Sequence, residues 1–538
     1  MDLQGAFHVY DTTLRDGAQQ EGLNLSVADK LTIARQLDEL GVGYIEGGWP
    51  GASPKDTEFF ARARDQLDLR NARLTAFGAT RRPGVRAADD PLVAALRDSG
   101  ASVVTLVAKS HSRHVELALR TTLAENLEMV RDTVSHLRAE GQQVFLDAEH
   151  FFDGYRADRD YALEVLRTAY DAGADVVALC DTNGGMLPAW VADVVHDVVS
   201  TTEGRVGIHC HNDTGCAVAN TLAAVEAGAT HVQGTINGYG ERTGNADLVA
   251  VVANLELKLD RRVLPQGMLA DATRIAHAVA EVTNVPPASR QPYVGASAFA
   301  HKAGLHASAI KVDPSLYQHM DPVGVGNDMR LLVSDMAGRA TIELKGRELG
   351  YDLSGDSADD RALVHKVTAQ VKEMEARGYT FEAADASFEL LLAAAVDGAR
   401  PSYFTVESWR VITETLTHAK PGEEAVSEAT VKLVADGVRY VETGEGNGPV
   451  NALDGALRQA LVRAYPEVAK FELIDYKVRI LDQGHGTDAI TRVLIETSDG
   501  ESSWVTVGVG HNVIEASWEA LLDGLTFGLR RQERHVSG

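Results

Sequence analysis

The stretch Arg205-Val206-Gly207-Ile208-His209-Cys210-His211-Asn212-Asp213 decides how this chain folds on paper. Its apolar start has the pattern of a short buried strand. Side chains two apart on a strand share a face. His209 and His211 therefore point the same way at the carboxyl end of the strand, and Cys210 points the other way. Two neighbouring imidazoles are the beginning of a metal site. An H-x-H pair alone is a weak motif, so its weight depends on what surrounds it.

Outward from this segment, a strand-then-helix pattern repeats through residues 1–284. Strands are expected at 7–11, 43–46, 74–77, 103–107, 144–147, 176–179, 206–209 and 232–236. Amphipathic stretches at 26–40, 121–138 and 160–172 lie between them. Ser26 has the form of a helix N-cap, with Asp29 in the first turn. Eight such units in roughly 240 residues favour a closed (β/α)8 TIM barrel. An open doubly wound sheet is the alternative, but no G-x-G-x-x-G opens the first helix.

Residues 285–400 carry no strand repeat. Val285-Pro286-Pro287 breaks the chain, and helices are expected at 361–377 and 383–395. This segment reads as a helical linker subdomain carrying site residues. The last segment, 401–538, contains an internal repeat. Residues 431–434, 438–441 and 446–461 form one copy; 492–495, 502–505 and 510–524 form the other. Gly446 matches Gly510, Ala452 matches Ala516, Ala456 matches Ala520 and Leu457 matches Leu521. A duplicated α+β module after a complete barrel suggests a separate sensing or dimerising domain.

Composition narrows the function classes. The formal charge is -26, from 51 basic and 77 acidic side chains. That argues against a nucleic-acid or anionic-membrane surface. Three cysteines cannot form a disulfide framework, which suits the cytoplasm. Met1-Asp2-Leu3-Gln4-Gly5 lacks a basic, apolar leader. No run of about 18 apolar residues suggests a membrane span.

Barrel enzymes place their chemistry at the carboxyl ends of the strands. Strand one ends in Asp11-Thr12-Thr13-Leu14-Arg15-Asp16-Gly17-Ala18-Gln19, and strand two at Glu46. Strand five ends in Asp147-Ala148-Glu149-His150 and strand six in Asp181-Thr182-Asn183-Gly184. Strand eight runs into Asn237-Gly238-Tyr239-Gly240-Glu241-Arg242-Thr243-Gly244-Asn245. Closure of a barrel sets strand one beside strand eight. Asp16, His209, His211 and Asn245 then converge. Two nitrogens and two oxygens suit a divalent ion with positions left for water or substrate. Gly238-Tyr239-Gly240 reads as a tight turn presenting Asn245, and Arg15 is expected to pair with Glu46. Glu149 also has a plain reading as a solvated loop carboxylate, and His306 as a packed histidine.

The segments 11–19, 209–213 and 240–245 resemble the signatures of the DRE-TIM metallolyase superfamily, which includes the isopropylmalate, homocitrate and citramalate synthases and hydroxymethylglutaryl-CoA lyase. Phe299-Ala300-His301-Lys302-Ala303-Gly304-Leu305-His306-Ala307 resembles the catalytic histidine segment of the synthases. Tyr317-Gln318-His319-Met320-Asp321-Pro322 resembles the tyrosine segment after it. The duplication at the end resembles their allosteric domain. Glu46-Gly47-Gly48-Trp49-Pro50-Gly51-Ala52-Ser53-Pro54-Lys55-Asp56 and residues 147–155 resemble the bacterial (R)-citramalate synthase branch most.

The resemblance implies a condensation of acetyl-CoA with pyruvate, then thioester hydrolysis, on a route to isoleucine. A metal held by Asp16, His209, His211 and Asn245 would polarise the ketone, and Arg15 would oppose the developing alkoxide. The ligand set admits magnesium, manganese, cobalt or zinc; the resemblance favours magnesium or manganese. Thr182, Arg15 and Gln19 are the substrate-binding candidates. His306 is the candidate base, assisted by Tyr317 and Glu149. The family architecture implies a homodimer with isoleucine as feedback inhibitor. Phe77, Leu106 and Tyr155 are candidates to close a small pocket around the substrate methyl. The alternatives are the same reaction on a larger 2-oxo acid, giving isopropylmalate or homocitrate; a metal-dependent carbon–carbon lyase or aldolase; and a non-catalytic sensor.

Overall fold

The computed structural model describes residues 7–353, 355, 357–414, 426–481 and 489–537, with residues 535–537 in main chain only. The leader reading of residues 1–5 lies outside the described residues. Eight parallel strands close on themselves in sequence order. They are β1 (His8–Asp11), β2 (Tyr44–Gly48), β3 (Arg73–Ala79), β4 (Val103–Lys109), β5 (Gln143–Glu149), β6 (Val176–Asp181), β7 (Arg205–Cys210) and β8 (His231–Gly234). Closure pairs Tyr10 of β1 with Gln233 of β8, and Asp11 with Gly234. Each strand leads to a helix: α1 (Val27–Leu40), α2 (Pro54–Gln66), α3 (Pro91–Asp98), α4 (Leu123–Ala139), α5 (Arg159–Asp171), α6 (Pro188–Thr201), α7 (Ala217–Glu226) and α8 (Leu248–Leu257). Ser26 and Asp29 open α1 with a reciprocal capping box.

Several strands outrun their apolar cores. β4 and β5 continue together until Lys109 stands opposite Glu149. An apolar-run reading ends a strand at its first charged residue, whereas these side chains sit at the mouth of a barrel whose ladder is still intact. β8 does the reverse and stops at Gly234, where a short turn takes over at Ile236.

Alternation along the strands sorts side chains into two layers. Tyr10, Tyr44, Val103, Phe145 and Val176 form the layer inside the barrel. Val9, Ile45, Leu106, Leu146, Ile208 and Cys210 face the helices and belong to the larger outer core. Cys210 thus lies on the face opposite His209.

The chain divides into two compact units. One runs through Phe299 and takes in Met320–Asp328; the other comprises Ala300–His319 and the chain from Met329 onward. In the first, Tyr293, Val294, Phe299 and Val325 join the outer core of the barrel. The second opens with β9 (Ala300–His301), which pairs in parallel with β10 (Arg330–Leu331). Its helices include α9 (Gly304–Ile310), α10 (Arg339–Glu348), α11 (Ala358–Ala376) and α12 (Asp385–Val396).

The repeat is present, with one strand more per copy than the sequence suggests. β11 (Phe404–Thr413), β12 (Ser427–Ala435) and β13 (Val438–Gly446) precede α13 (Pro449–Leu461). β14 (Glu472–Ile480), β15 (Thr491–Ser498) and β16 (Ser503–Gly510) precede α14 (Val513–Ser537). β11 and β14, which the sequence reading missed, are edge strands whose side chains are largely exposed. Each also carries a bulge, between Val406 and Ser408 in β11 and between Leu473 and Asp475 in β14, which interrupts its apolar alternation. Ala452, Ala456 and Leu457 of one copy and Ala516, Ala520 and Leu521 of the other lie in a shared core. Phe388 and Leu392 of α12 pack in one cluster with Val507 of β16.

Candidate active site

β7 carries its two histidines to the barrel mouth. Their Nε2 atoms lie 3.3 Å apart. Asp16, in the turn after β1, places Oδ2 3.5 Å from His209 Nε2 and 3.8 Å from His211 Nε2. Among the described residues these three form the cluster able to hold a metal ion. Asn245 is brought beside them by a bridge between its backbone and that of His211. Its Nδ2 donates to Asp16 Oδ1 and to Tyr239 O, both at 3.1 Å. The preceding turn depends on glycine. A Cβ on Gly240 would lie 2.3 Å from Asn245 Nδ2, and one on Gly244 would lie 2.0 Å from Gly238 O.

The donor chemistry fits a small divalent cation. Burial opposes ionisation of Asp16, but Arg15, His209 and His211 outweigh it and hold the carboxyl well below its ordinary range. Burial and the neighbouring His209 push His211 down to about 4, so it is neutral with a lone pair at pH 7. Asn245 Oδ1 is buried without a hydrogen-bond partner among the described residues. Such an orphaned oxygen is costly unless something binds it.

Beside this cluster Arg15 is clamped from two sides. Its Nε donates to Glu46 Oε2 at 2.5 Å, and Nη1 to Asp16 Oδ2 at 3.2 Å. Glu46 is fully buried and also accepts from Tyr10 Oη at 2.6 Å and Thr12 Oγ1 at 2.5 Å. The guanidinium lies 3.8 Å over the Phe77 ring. A cation so held cannot swing into solvent, and it presents fixed positive charge next to the metal-ligand trio.

The other sequence candidates fall in several places. Thr182, just past β6, accepts from the His150 N–H at 2.9 Å and keeps its own hydroxyl proton to donate. Glu149 forms an ion pair with Lys109 across the β4–β5 mouth. Gln19 is exposed on a 3-10 turn after Asp16. His306 and Tyr317 belong to the second unit, where their rings stack at 4.1 Å. Phe77 is buried against Arg15 and Trp49. Leu106 and Tyr155 are corrections: neither can close a pocket inside the barrel. Leu106 faces the helices, and the Tyr155 hydroxyl is tied to Asp197 on α6 at 2.6 Å.

Sequence reading missed Lys109, Gln233 and the inward role of Asp147. Strand parity held the signal. Position 109 shares a face with Val103 and Thr105, and position 147 shares one with Phe145. A polar residue at such a position inside a barrel needs a partner.

A closed parallel barrel with a carboxylate and two imidazoles gathered at its carboxyl end defines a metal-dependent TIM-barrel enzyme. Family comparison agrees. Residues 6–279 match the HMGL-like family, 293–378 the homocitrate synthase post-HMGL domain-like family, and 382–529 the LeuA allosteric (dimerisation) domain. The chain is 67% identical to the (R)-citramalate synthase of Streptomyces coelicolor, over 98% of each chain. It is 48% identical to that of Synechocystis, over 97% of this chain and 96% of the relative. A probable 2-isopropylmalate synthase of Methanopyrus kandleri is 33% identical over 97% of this chain and 98% of the relative. The chain belongs to the (R)-citramalate synthase family of HMGL-like, metal-dependent acyltransferases.

Proposed function

We propose that the protein condenses acetyl-CoA with pyruvate to give (R)-citramalate and CoA. The observation that carries this reading is the half-buried Arg15, clamped by Glu46 and 3.2 Å from a carboxylate that faces two imidazoles. Asp16, His209, His211 and Asn245 would hold the metal, with magnesium or manganese the expected ion. That ion supplies a Lewis acid for the ketone of the 2-oxo acid. Arg15 stabilises negative charge growing on the ketone oxygen. The Thr182 hydroxyl donates to the substrate carboxylate, and Gln19 lies on the turn that follows the metal-ligating aspartate. His306 takes the proton from the acetyl methyl, with Tyr317 and Glu149 assisting; these roles rest on the resemblance of residues 299–307 and 317–322 to the synthase segments. The contact with Lys109 supports a Glu149 side chain held in a fixed orientation.

By function the chain divides into a barrel at 1–284, a linker at 285–400 and a regulatory, dimer-forming domain at 401–538. Isoleucine is the expected feedback ligand. A cavity of about 560 Å³ lined by Asn447, Val450, Asn451, Arg458, Leu473 and Tyr476 supports this by its mixed apolar and polar wall. Among the described residues no helix is long and apolar enough to cross a membrane, and a cytoplasmic location fits the composition.

The test is thiol release from acetyl-CoA, with magnesium or manganese, against pyruvate, 2-oxoisovalerate, 2-oxoglutarate and glyoxylate. Preference for pyruvate, abolished by a chelator and inhibited by isoleucine, is the expected result. Preference for 2-oxoisovalerate would overturn the substrate assignment, and no release with any acceptor would overturn the reaction.

A further inference from the structure

His209 has a second ring nitrogen, and what it touches bears on how the metal is held. Its Nδ1 lies 2.9 Å from Gln233 Oε1. Gln233 sits on β8, faces the barrel interior and is 1% exposed. Its Nε2 lies 2.8 Å from Asp147 Oδ1 and 3.3 Å from His231 Nε2. His231 Nδ1 in turn lies 3.2 Å from His8 Nδ1.

The directions of these bonds follow from one group. An ionised carboxylate only accepts. Burial and the nearby Glu46 raise Asp147 to about 6, which leaves it ionised at pH 7. The Gln233 amide must therefore turn its NH2 toward Asp147. Its second N–H then points at His231 Nε2, which accepts. Burial and the adjacent His8 hold His231 well below its ordinary range, so that lone pair is present. The amide oxygen is left facing His209 and can only accept. His209 must then carry a proton on Nδ1, which leaves Nε2, facing the Asp16 cluster, as the ring nitrogen free to take a cation. With the opposite tautomer, Nδ1 and Oε1 would face each other as two acceptors, and Nε2 would have no lone pair for a cation.

We infer that Gln233, oriented by Asp147, is a positioning residue that fixes the tautomer and ring angle of His209 for metal binding. This rests on the reading of His209 as a ligand. Outer partners of ligating histidines typically set affinity by about 10–100-fold.

The experiment measures Mn2+ affinity calorimetrically in the full-length protein, without substrates. Gln233→Met removes the acceptor at nearly constant volume. Gln233→Glu keeps an acceptor toward Nδ1–H and places the surplus proton between the introduced carboxylate and Asp147. The expected result is a Kd weakened about 10–100-fold by Gln233→Met and restored to within a few-fold of wild type by Gln233→Glu. Should Gln233→Met not fold, Gln233→Leu takes its place. Unchanged affinity in the apolar variant, or equal loss in both variants, overturns the relay. His209→Ala separates the two readings. If it leaves Mn2+ affinity at the wild-type value, the ligand assignment falls and the relay with it. If it abolishes binding while Gln233→Met does not weaken it, only the relay falls.

Discussion

Glu46→Gln removes one buried charge while keeping the shape of the side chain. Glu46 holds Arg15 through a 2.5 Å bond and accepts from Tyr10 and Thr12 as well. The glutamine oxygen can still receive Arg15 and Thr12, which both use Oε2, and its NH2 can face a Tyr10 hydroxyl turned toward Thr105. The loss is therefore the charge assistance on the Arg15 bond. A hydrogen bond to a charged group contributes about 1.5–3 kcal/mol and a neutral one about 1 kcal/mol. The difference, about 0.5–2 kcal/mol, loosens the guanidinium at the point where alkoxide charge would develop. That corresponds to a fall in kcat/KM for the 2-oxo acid of about 2- to 30-fold. Glu46→Ala should do worse, because it leaves buried donors unpaired and costs about 3–5 kcal/mol of stability. Thiol-release kinetics at saturating acetyl-CoA, with thermal midpoints alongside, measure both. A glutamine variant with wild-type kcat/KM would mean that Arg15 is held by Asp16 and Phe77 without help from Glu46, and the clamp argument would fail.

Asp16→Asn should weaken Mn2+ binding by orders of magnitude, since ligand charge sets affinity for hard cations; calorimetry showing wild-type affinity would remove Asp16 from the ligand set. Gly508→Ala should lower the thermal midpoint while leaving Mn2+ affinity unchanged. Its Cβ would fall 2.0 Å from Ala516 O, and overpacking of this kind costs about 1–3 kcal/mol or more. Gly444, its counterpart in the first repeat, meets Ala456 N at 2.6 Å and should behave alike. Asp523 gives a pH prediction. Burial raises its carboxyl from 3.8 to about 6, despite Arg400 and Ser387. The folded state binds that proton more tightly than the unfolded chain. Its stabilising contribution is fully present below pH 3.8 and is lost as pH rises through about 6. The loss is about 3 kcal/mol at roughly 1.4 kcal/mol per pKa unit. Asp523→Asn should flatten the pH dependence of the thermal midpoint between pH 4 and 6; an unaltered slope would show that other carboxylates set it.

The sequence by itself determined the barrel. Eight apolar runs with amphipathic stretches between them leave few ways to bury both faces of a parallel sheet. The parity of His209 and His211 gave their common face, and the closure rule brought Asp16 and Asn245 to them. The duplication was legible too, because Gly446 and Gly510, and Ala452 and Ala516, sit at matching offsets. Strands β11 and β14 were not, since a bulge in each interrupts the alternation of its apolar residues. Tertiary structure alone decided which polar residues meet inside the barrel. Glu46 reaches Arg15 across two strands. Gln233 bridges Asp147 and His209, 86 and 24 residues away in sequence. Leu106 faces the helices by strand parity with Val103, and Tyr155 lies on a short helix after β5 with its hydroxyl on Asp197. A hydrogen bond needs two atoms about 3 Å apart, and local spacing along the chain does not fix a separation made by six other strands.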